Sequence, residues 1–249
     1  MKSGKRVIAA MLTALMTVTF TANTAVSVYA TGVTATENAQ TTDAQSTDAQ
    51  ALTPEEQKAQ ELQQVYDMPV ESNGYKDWPQ GPGTYGEAGI VMEVGTGAIL
   101  YAKNIDAHEY PASITKVLTA LIALENGRLT DNVTFSHDSV AFLQRGDSSV
   151  GLKEGNVITL DQAMHAMLLA SANEAAYAIG ESVGVNAGHD YNWFIEQMNS
   201  RCKELGGENS NFVNTNGLHD PNHYTCARDM ALIGRELFKH PEFFQIVQT

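Results

Sequence analysis

Pro111-Ala112-Ser113-Ile114-Thr115-Lys116 leads straight into Val117-Leu118-Thr119-Ala120-Leu121-Ile122-Ala123-Leu124. The run sets a serine and a lysine one helical turn apart at the mouth of an almost wholly apolar helix, and residues three apart on a helix share a face. A helix that is apolar all round is a buried one. A lysine held against such a core has its charged form disfavoured, so its pKa falls. A neutral amine beside a hydroxyl is a general base beside a nucleophile. The same residues also read as an ordinary helix start, with Ser113 as N-cap and Lys116 carrying its ammonium out to water along its alkyl stem. The spacing alone is common, so the choice between the two rests on what else the chain carries.

Ser171-Ala172-Asn173 lies between two further helical stretches. Taken alone it makes a good start for the second of them, because Ser171 and Glu174 have the spacing of a capping box. Taken with Ser113 and Lys116 it has a chemical use. A hydroxyl there passes a proton to a leaving group, and an amide side chain there holds a substrate's peptide group.

Working outward, the folded region begins near Ala88. Residues 89–94 and 98–103 flank Gly95-Thr96-Gly97 and predict a β-hairpin. The Ser113 helix is expected to stop at Asn126-Gly127. Residues 128–158 mix short strand-like pieces with polar loops. Thr159 and Gln162 form a capping box for an apolar helix over 163–170. Later helices are expected from Glu174 to about Val183, from a cap at Asp190 to Leu205, and from a cap at Thr225 through 227–239, ended before Pro241.

Before Ala88 the chain changes character. Lys2, Lys5 and Arg6 precede a largely apolar stretch over 7–20, and Val28-Tyr29-Ala30 is a small-residue cleavage site, which makes 1–30 a secretory signal peptide. That stretch is too short and too interrupted by threonine for a membrane span. Residues 31–52 are mostly Thr, Ala, Gln, Asp and Ser and predict a disordered leader. Thr53-Pro54-Glu55-Glu56 opens a short polar helix over 54–66, and 67–86 reads as a linker or an ordered loop. Removing the signal peptide takes away three positive charges and moves the formal charge from −14 to −17. Such a surface argues against nucleic acid, which needs clustered Lys and Arg, and offers no polybasic patch to anionic lipid. Two cysteines are too few for a disulfide framework. Cys202, in register with Phe194 and Met198, reads as a core residue. Export permits a disulfide between Cys202 and Cys226, which spacing alone neither requires nor forbids.

The blocks 110–116, 168–176 and 216–229, with the hairpin over 89–106, resemble the low-molecular-mass penicillin-binding D-alanyl-D-alanine carboxypeptidases, serine enzymes whose motifs are S-x-x-K, Ser-x-Asn and K-T-G. The resemblance covers residues from about 88 to 249 and implies an α+β fold of the β-lactamase/DD-peptidase type, a helical cluster with an N-terminal β-hairpin. It implies Ser113 as acylated nucleophile, Lys116 as general base, Ser171 as proton relay and Asn173 as the residue that binds the substrate peptide. The substrate implied is a peptidoglycan stem peptide ending in D-Ala-D-Ala, the inhibitors β-lactam antibiotics, and the place of action the extracellular or cell-wall space. No cofactor is implied.

The chain departs from this pattern at its end. It has no K-T-G, K-S-G or H-T-G, and only 76 residues follow Asn173, where the family places that motif on the order of a hundred residues on. The expectation is therefore a domain over 87–249 that lacks the C-terminal strands of the central sheet and the C-terminal membrane anchor of many members. It would leave two exposed sheet edges and an uncovered apolar helix face. A non-catalytic remnant or cell-wall binding module is the alternative to an active carboxypeptidase. A β-lactamase shares the first two motifs, but no Glu-x-x-x-Asn follows Asn173. His219, Asp220 and His223 do not complete a metal site, since zinc needs three or four convergent ligands. No G-x-G-x-x-G or Walker pattern supports a nucleotide.

Overall fold

The computed structural model describes residues 52–248. The expected signal peptide (1–30) and the leader up to residue 51 lie outside the described residues. Within them, helix α1 (Pro54–Tyr66) precedes strands β1 (Gly89–Met92) and β2 (Ile99–Lys103). Helix α2 (Thr115–Asn126), strand β3 (Asn132–Thr134), helix α3 (His137–Ala141) and strand β4 (Val157–Thr159) follow. Helices α4 (Leu160–Leu169), α5 (Asn173–Asn186), α6 (Tyr191–Glu204), α7 (Ala227–Leu237) and α8 (Pro241–Val247) complete the order.

The core sits around α2, which packs against α4, α5, α6 and α7. Leu118, Ala120, Leu121, Ile122 and Ala123 are all buried, as expected of a helix apolar on every side. Its partners meet it with Met164 and Met167 of α4, Ala176 and Ile179 of α5, Phe194 and Met198 of α6, and Ile233 of α7. Truncating a side chain such as Leu121 in this setting costs about 2–5 kcal/mol. Small residues let α5 approach closely. At Gly184 a Cβ would lie 2.3 Å from the carbonyl oxygen of Asp190, so nothing larger than glycine fits there, and α5 runs past it to Asn186, beyond the expected end near Val183.

The hairpin forms as predicted. β1 and β2 are antiparallel, pairing Gly89 with Lys103, Ile90 with Ala102 and Val91 with Tyr101, with a register slip between Val91 and Met92. Its turn is closed by the Glu93 carboxylate, which accepts from the N–H groups of Gly95 and Thr96 and from the Thr96 hydroxyl. α7 packs against β1, and Arg235 donates to the carbonyls of Val94 and Gly95. β3 and β4 form a second antiparallel pair.

The expectation of two exposed edges needs correction on one side. Residues 67–86 take the ordered form of the two that the sequence left open, and they cover the outer edge of β2. The N–H of Ala102 donates to the Ser72 hydroxyl at 3.2 Å, and the Trp78 indole donates to the carbonyl of Leu100 at 2.8 Å. Lys103, fully buried, sends its Nζ outward to the carbonyls of Val65 and Thr84, each at 2.6 Å. Side chains thus satisfy edge groups that a neighbouring strand would otherwise meet. α1 is held at its start by the predicted capping box of Thr53 and Glu56.

Some helix ends differ from expectation. The cap of α7 is Cys226, whose Sγ accepts from the N–H of Asp229; the Thr225 hydroxyl instead bonds Ser210. Cys202 and Cys226 are both buried free thiols, so the disulfide that export permits is not made. Thr159 and Asp190 cap α4 and α6 as predicted. Among the described residues no helix is long and apolar enough to cross a membrane.

Candidate active site

Ser113 sits in a tight 3-10 turn, Ala112–Ile114, that feeds α2. It caps nothing: α2 has no side-chain cap. Ala112, immediately before it, is held at φ +46° and Ser171, across from it, at φ +55°. Left-handed backbone at a residue with a side chain costs of order 1–3 kcal/mol and persists only where the surroundings over-determine it. Both strained residues border the same hydroxyl.

Lys116 is 3% exposed and does not snorkel. Its Nζ lies 3.0 Å from Ser113 Oγ, 2.8 Å from Asn173 Oδ1 and 2.7 Å from the carbonyl oxygen of Asn216. Burial pulls its pKa down to about 8, partly opposed by the negative charge of Glu174. Two of its three partners, Asn173 Oδ1 and the Asn216 carbonyl, can only accept. When the amine is neutral, its two N–H groups serve those two and its lone pair is left for the Ser113 hydroxyl. Among its three hydrogen-bond partners in the described residues, Ser113 is the one able to give this lysine a proton.

Ser171 does not cap α5, whose N-cap position is Ala172 without a side-chain bond. Its hydroxyl donates to Ser113 Oγ at 2.9 Å. Glu174, the other half of the expected capping box, accepts from the Ser149 hydroxyl and from the N–H groups of Val150 and Gly151. It pins that loop beside the site, while the N–H of Asn173 donates to the carbonyl of Ser148. All four residues singled out in the sequence, Ser113, Lys116, Ser171 and Asn173, therefore meet in one hydrogen-bonded cluster.

The stretch 214–217 contributes what residue types alone did not indicate. It is fixed from several sides: Thr119 donates to the carbonyl of Thr215, the N–H of Thr215 donates to the Tyr191 hydroxyl, and the N–H of Gly217 donates to Asn214 Oδ1. Gly217 has φ +84°, and a Cβ there would lie 1.7 Å from the Ala112 carbonyl oxygen. The strained turn that carries Ser113 thus rests directly on a glycine. The Asn-Gly pair at 216–217 was the available signal, since it marks backbone with positive φ.

His223 closes the back of the site. Its Nδ1 accepts from the N–H of Val213 at 3.1 Å, which places the ring proton on Nε2, 2.8 Å from Thr115 Oγ1. Burial pushes its pKa down to about 4. His219 is engaged elsewhere, edge-on to Tyr110.

The family model described as D-alanyl-D-alanine carboxypeptidase (peptidase S11) matches residues 79–249. The D-alanyl-D-alanine carboxypeptidase DacF of Bacillus subtilis is 32% identical over 168 residues, covering 66% of this chain and 41% of the relative. DacA of Haemophilus influenzae is 33% identical over 163 residues, covering 63% and 40%. The chain thus spans about 40% of the length of these curated relatives. Among solved structures, penicillin binding protein 5 from Haemophilus influenzae superposes with a TM-score of 0.60 at 31% identity, covering 68% of this chain and 49% of that one. A Streptomyces DD-transpeptidase gives 0.59 at 28% identity, covering 64% and 63%. The helix-rich α+β architecture is that of the DD-peptidases and penicillin-binding proteins, with the β-lactamase-like fold. By the match over most of its length, this chain belongs to the D-alanyl-D-alanine carboxypeptidase family, peptidase S11.

Proposed function

We propose that the chain carries the acylation site of an exported serine carboxypeptidase acting on peptides that end in D-Ala-D-Ala. The observation that carries this reading is the set of partners around Lys116, two pure acceptors and one hydroxyl. Neutral Lys116 takes the Ser113 proton as Oγ attacks the carbonyl carbon of the penultimate D-alanine. The backbone N–H of Ser113, at a helix start where N–H groups lack intrahelical partners, is one donor to the oxyanion. As the C–N bond breaks, the departing amine of the last D-alanine takes a proton through Ser171, which bridges to Ser113 Oγ. Asn173 orients the peptide by its amide. Water then attacks the Ser113 ester, transferring a proton to Lys116; as the ester C–O bond breaks, Lys116 returns that proton to Ser113 Oγ, 3.0 Å away, and the shortened peptide leaves with a new carboxyl terminus. β-Lactams enter the same path, with Ser113 Oγ opening the strained amide. The basic head and apolar stretch within residues 1–30 support export to the cell-wall space.

The test is intact-protein mass spectrometry after incubation with benzylpenicillin, beside Ser113→Ala. A stable adduct with the mass of the whole antibiotic, lost in the variant, is expected. No adduct on soluble, cooperatively unfolding protein sinks the enzymatic reading and leaves the non-catalytic alternative.

A further inference from the structure

Tyr191, the first residue of α6, has no part in the cluster around Ser113, yet its hydroxyl reaches the loop that supports it. The N–H of Thr215 donates to the Tyr191 oxygen at 3.1 Å, and the two hydroxyls bond each other at 3.2 Å. Thr215 is fully buried, so water does not stand in for that acceptor. From the other side, Thr119 of α2 donates to the Thr215 carbonyl at 2.7 Å. Thr215 is thus gripped at its N–H by α6 and at its carbonyl by α2. The next carbonyl along, that of Asn216, meets Lys116 Nζ at 2.7 Å. Tyr191 itself has little freedom. Tyr177 stacks on it, with ring centroids 4.2 Å apart and planes 12° apart. Gly180 of α5 lies against both partners: a Cβ there would come within 3.0 Å of the Tyr191 ring and 2.9 Å of the Thr215 methyl. Burial pushes the Tyr191 pKa up to about 12, partly opposed by its hydrogen bonds with Thr215, so the group stays a neutral hydroxyl at working pH.

We infer that Tyr191 is a positioning residue of the acylation site: its hydroxyl fixes the loop at 214–217 so that the Asn216 carbonyl stays the third acceptor of Lys116. The inference rests on the proposed reading of Lys116 as the base. Each acceptor around an ammonium favours the charged form over the neutral amine. Replacing Tyr191 by phenylalanine keeps the ring, its stacking and its fit against Gly180, and removes one oxygen. The buried Thr215 N–H then lacks an acceptor, and the loop must turn to find another. The Asn216 carbonyl moves with it. Lys116 loses part of a bond that favours its charge and that aims its amine. Among the described residues the charge that acts on Lys116 is Glu174 of α5. The titratable groups that bear on Tyr191 are Tyr177 and Glu181, also of α5. The substitution leaves all three in place, so a change at Lys116 reports on the loop.

The experiment reads Lys116 directly and through acylation. Protein carrying lysine labelled with carbon-13 at Cε is titrated by NMR, with the Lys116 resonance assigned by its loss in Lys116→Arg. Benzylpenicillin acylation rates are measured over the same pH range, per mole of folded protein. Tyr191→Phe is expected to lower both midpoints by about half a unit and to cut the plateau rate about tenfold. Lys103→Met is the control. Its buried amine serves the segment over β2, so its loss should cost a similar amount of stability and leave both midpoints where they are. Midpoints in Tyr191→Phe that match those of the unmodified protein or rise above them, or a fall that Lys103→Met reproduces, overturn the inference. A lowered NMR midpoint in a chain that forms no penicillin adduct sustains it and counts against the acylation reading alone.

Discussion

A protonated Lys116 is fully occupied, because its three N–H groups have three acceptors; only loss of one proton frees it to act. Acylation by penicillin should therefore rise as pH passes through about 8, the pKa that burial gives this group, and level off above it. Lys116→Arg should abolish the rise, since a guanidinium does not deprotonate in this range. Glu174→Gln removes the charge that holds the ammonium on, so the midpoint should move below that of the unmodified protein. Stability has its own sign. The folded pKa lies below the unfolded value of 10.5, so the unfolded chain binds more protons between the two, and Lys116 makes the fold more stable as pH rises through that window. Gly217→Ala acts by another route. Its Cβ would meet the Ala112 carbonyl at 1.7 Å on backbone at φ +84°, and overpacking with backbone strain should cost about 3 kcal/mol in chemical denaturation. Acylation should fall further than the loss of folded protein explains.

Among the elements, the segment over β2 depends on a buried lysine that carries no catalytic duty. Lys103→Met should keep the packing of the stem but release the carbonyls of Val65 and Thr84. A loss of about 2 kcal/mol is expected, with limited proteolysis appearing first between residues 66 and 86. The sequence was legible here where the pattern is local. The hairpin follows from its glycine turn, and the starts of α1, α4 and α6 follow from Thr53, Thr159 and Asp190, each bonding an N–H within its own first turn. It misled where a local pattern was available but unused. Ser171 and Glu174 have the spacing of a capping box, yet one bonds Ser113 and the other the loop at 149–151, because tertiary partners outcompete the cap. It was silent where backbone does the work. A carbonyl such as that of Asn216 carries no residue identity, and Lys103 looks like any lysine at a strand's end.

Across the whole molecule, acid should reach the site through its scaffold before it reaches Ser113. His223 joins α2, through Thr115, to the loop at Val213. Its folded pKa of about 4 lies below the ordinary 6.5, so the unfolded chain binds more protons between these values. The stability His223 confers is complete above 6.5 and is lost as pH falls toward 4. Urea midpoints should decline over that window, and His223→Gln, which cannot titrate, should flatten the decline. The hairpin has a consequence at this scale too. Its β2 side is occupied by Ser72 and Trp78, and none of the described residues outside the hairpin hydrogen-bonds to the backbone of Gly89–Met92. The sheet therefore has a direction of growth. Any further strand, from whatever source, must be laid down beside β1, and the first half of the chain has already decided on which flank a larger sheet is assembled.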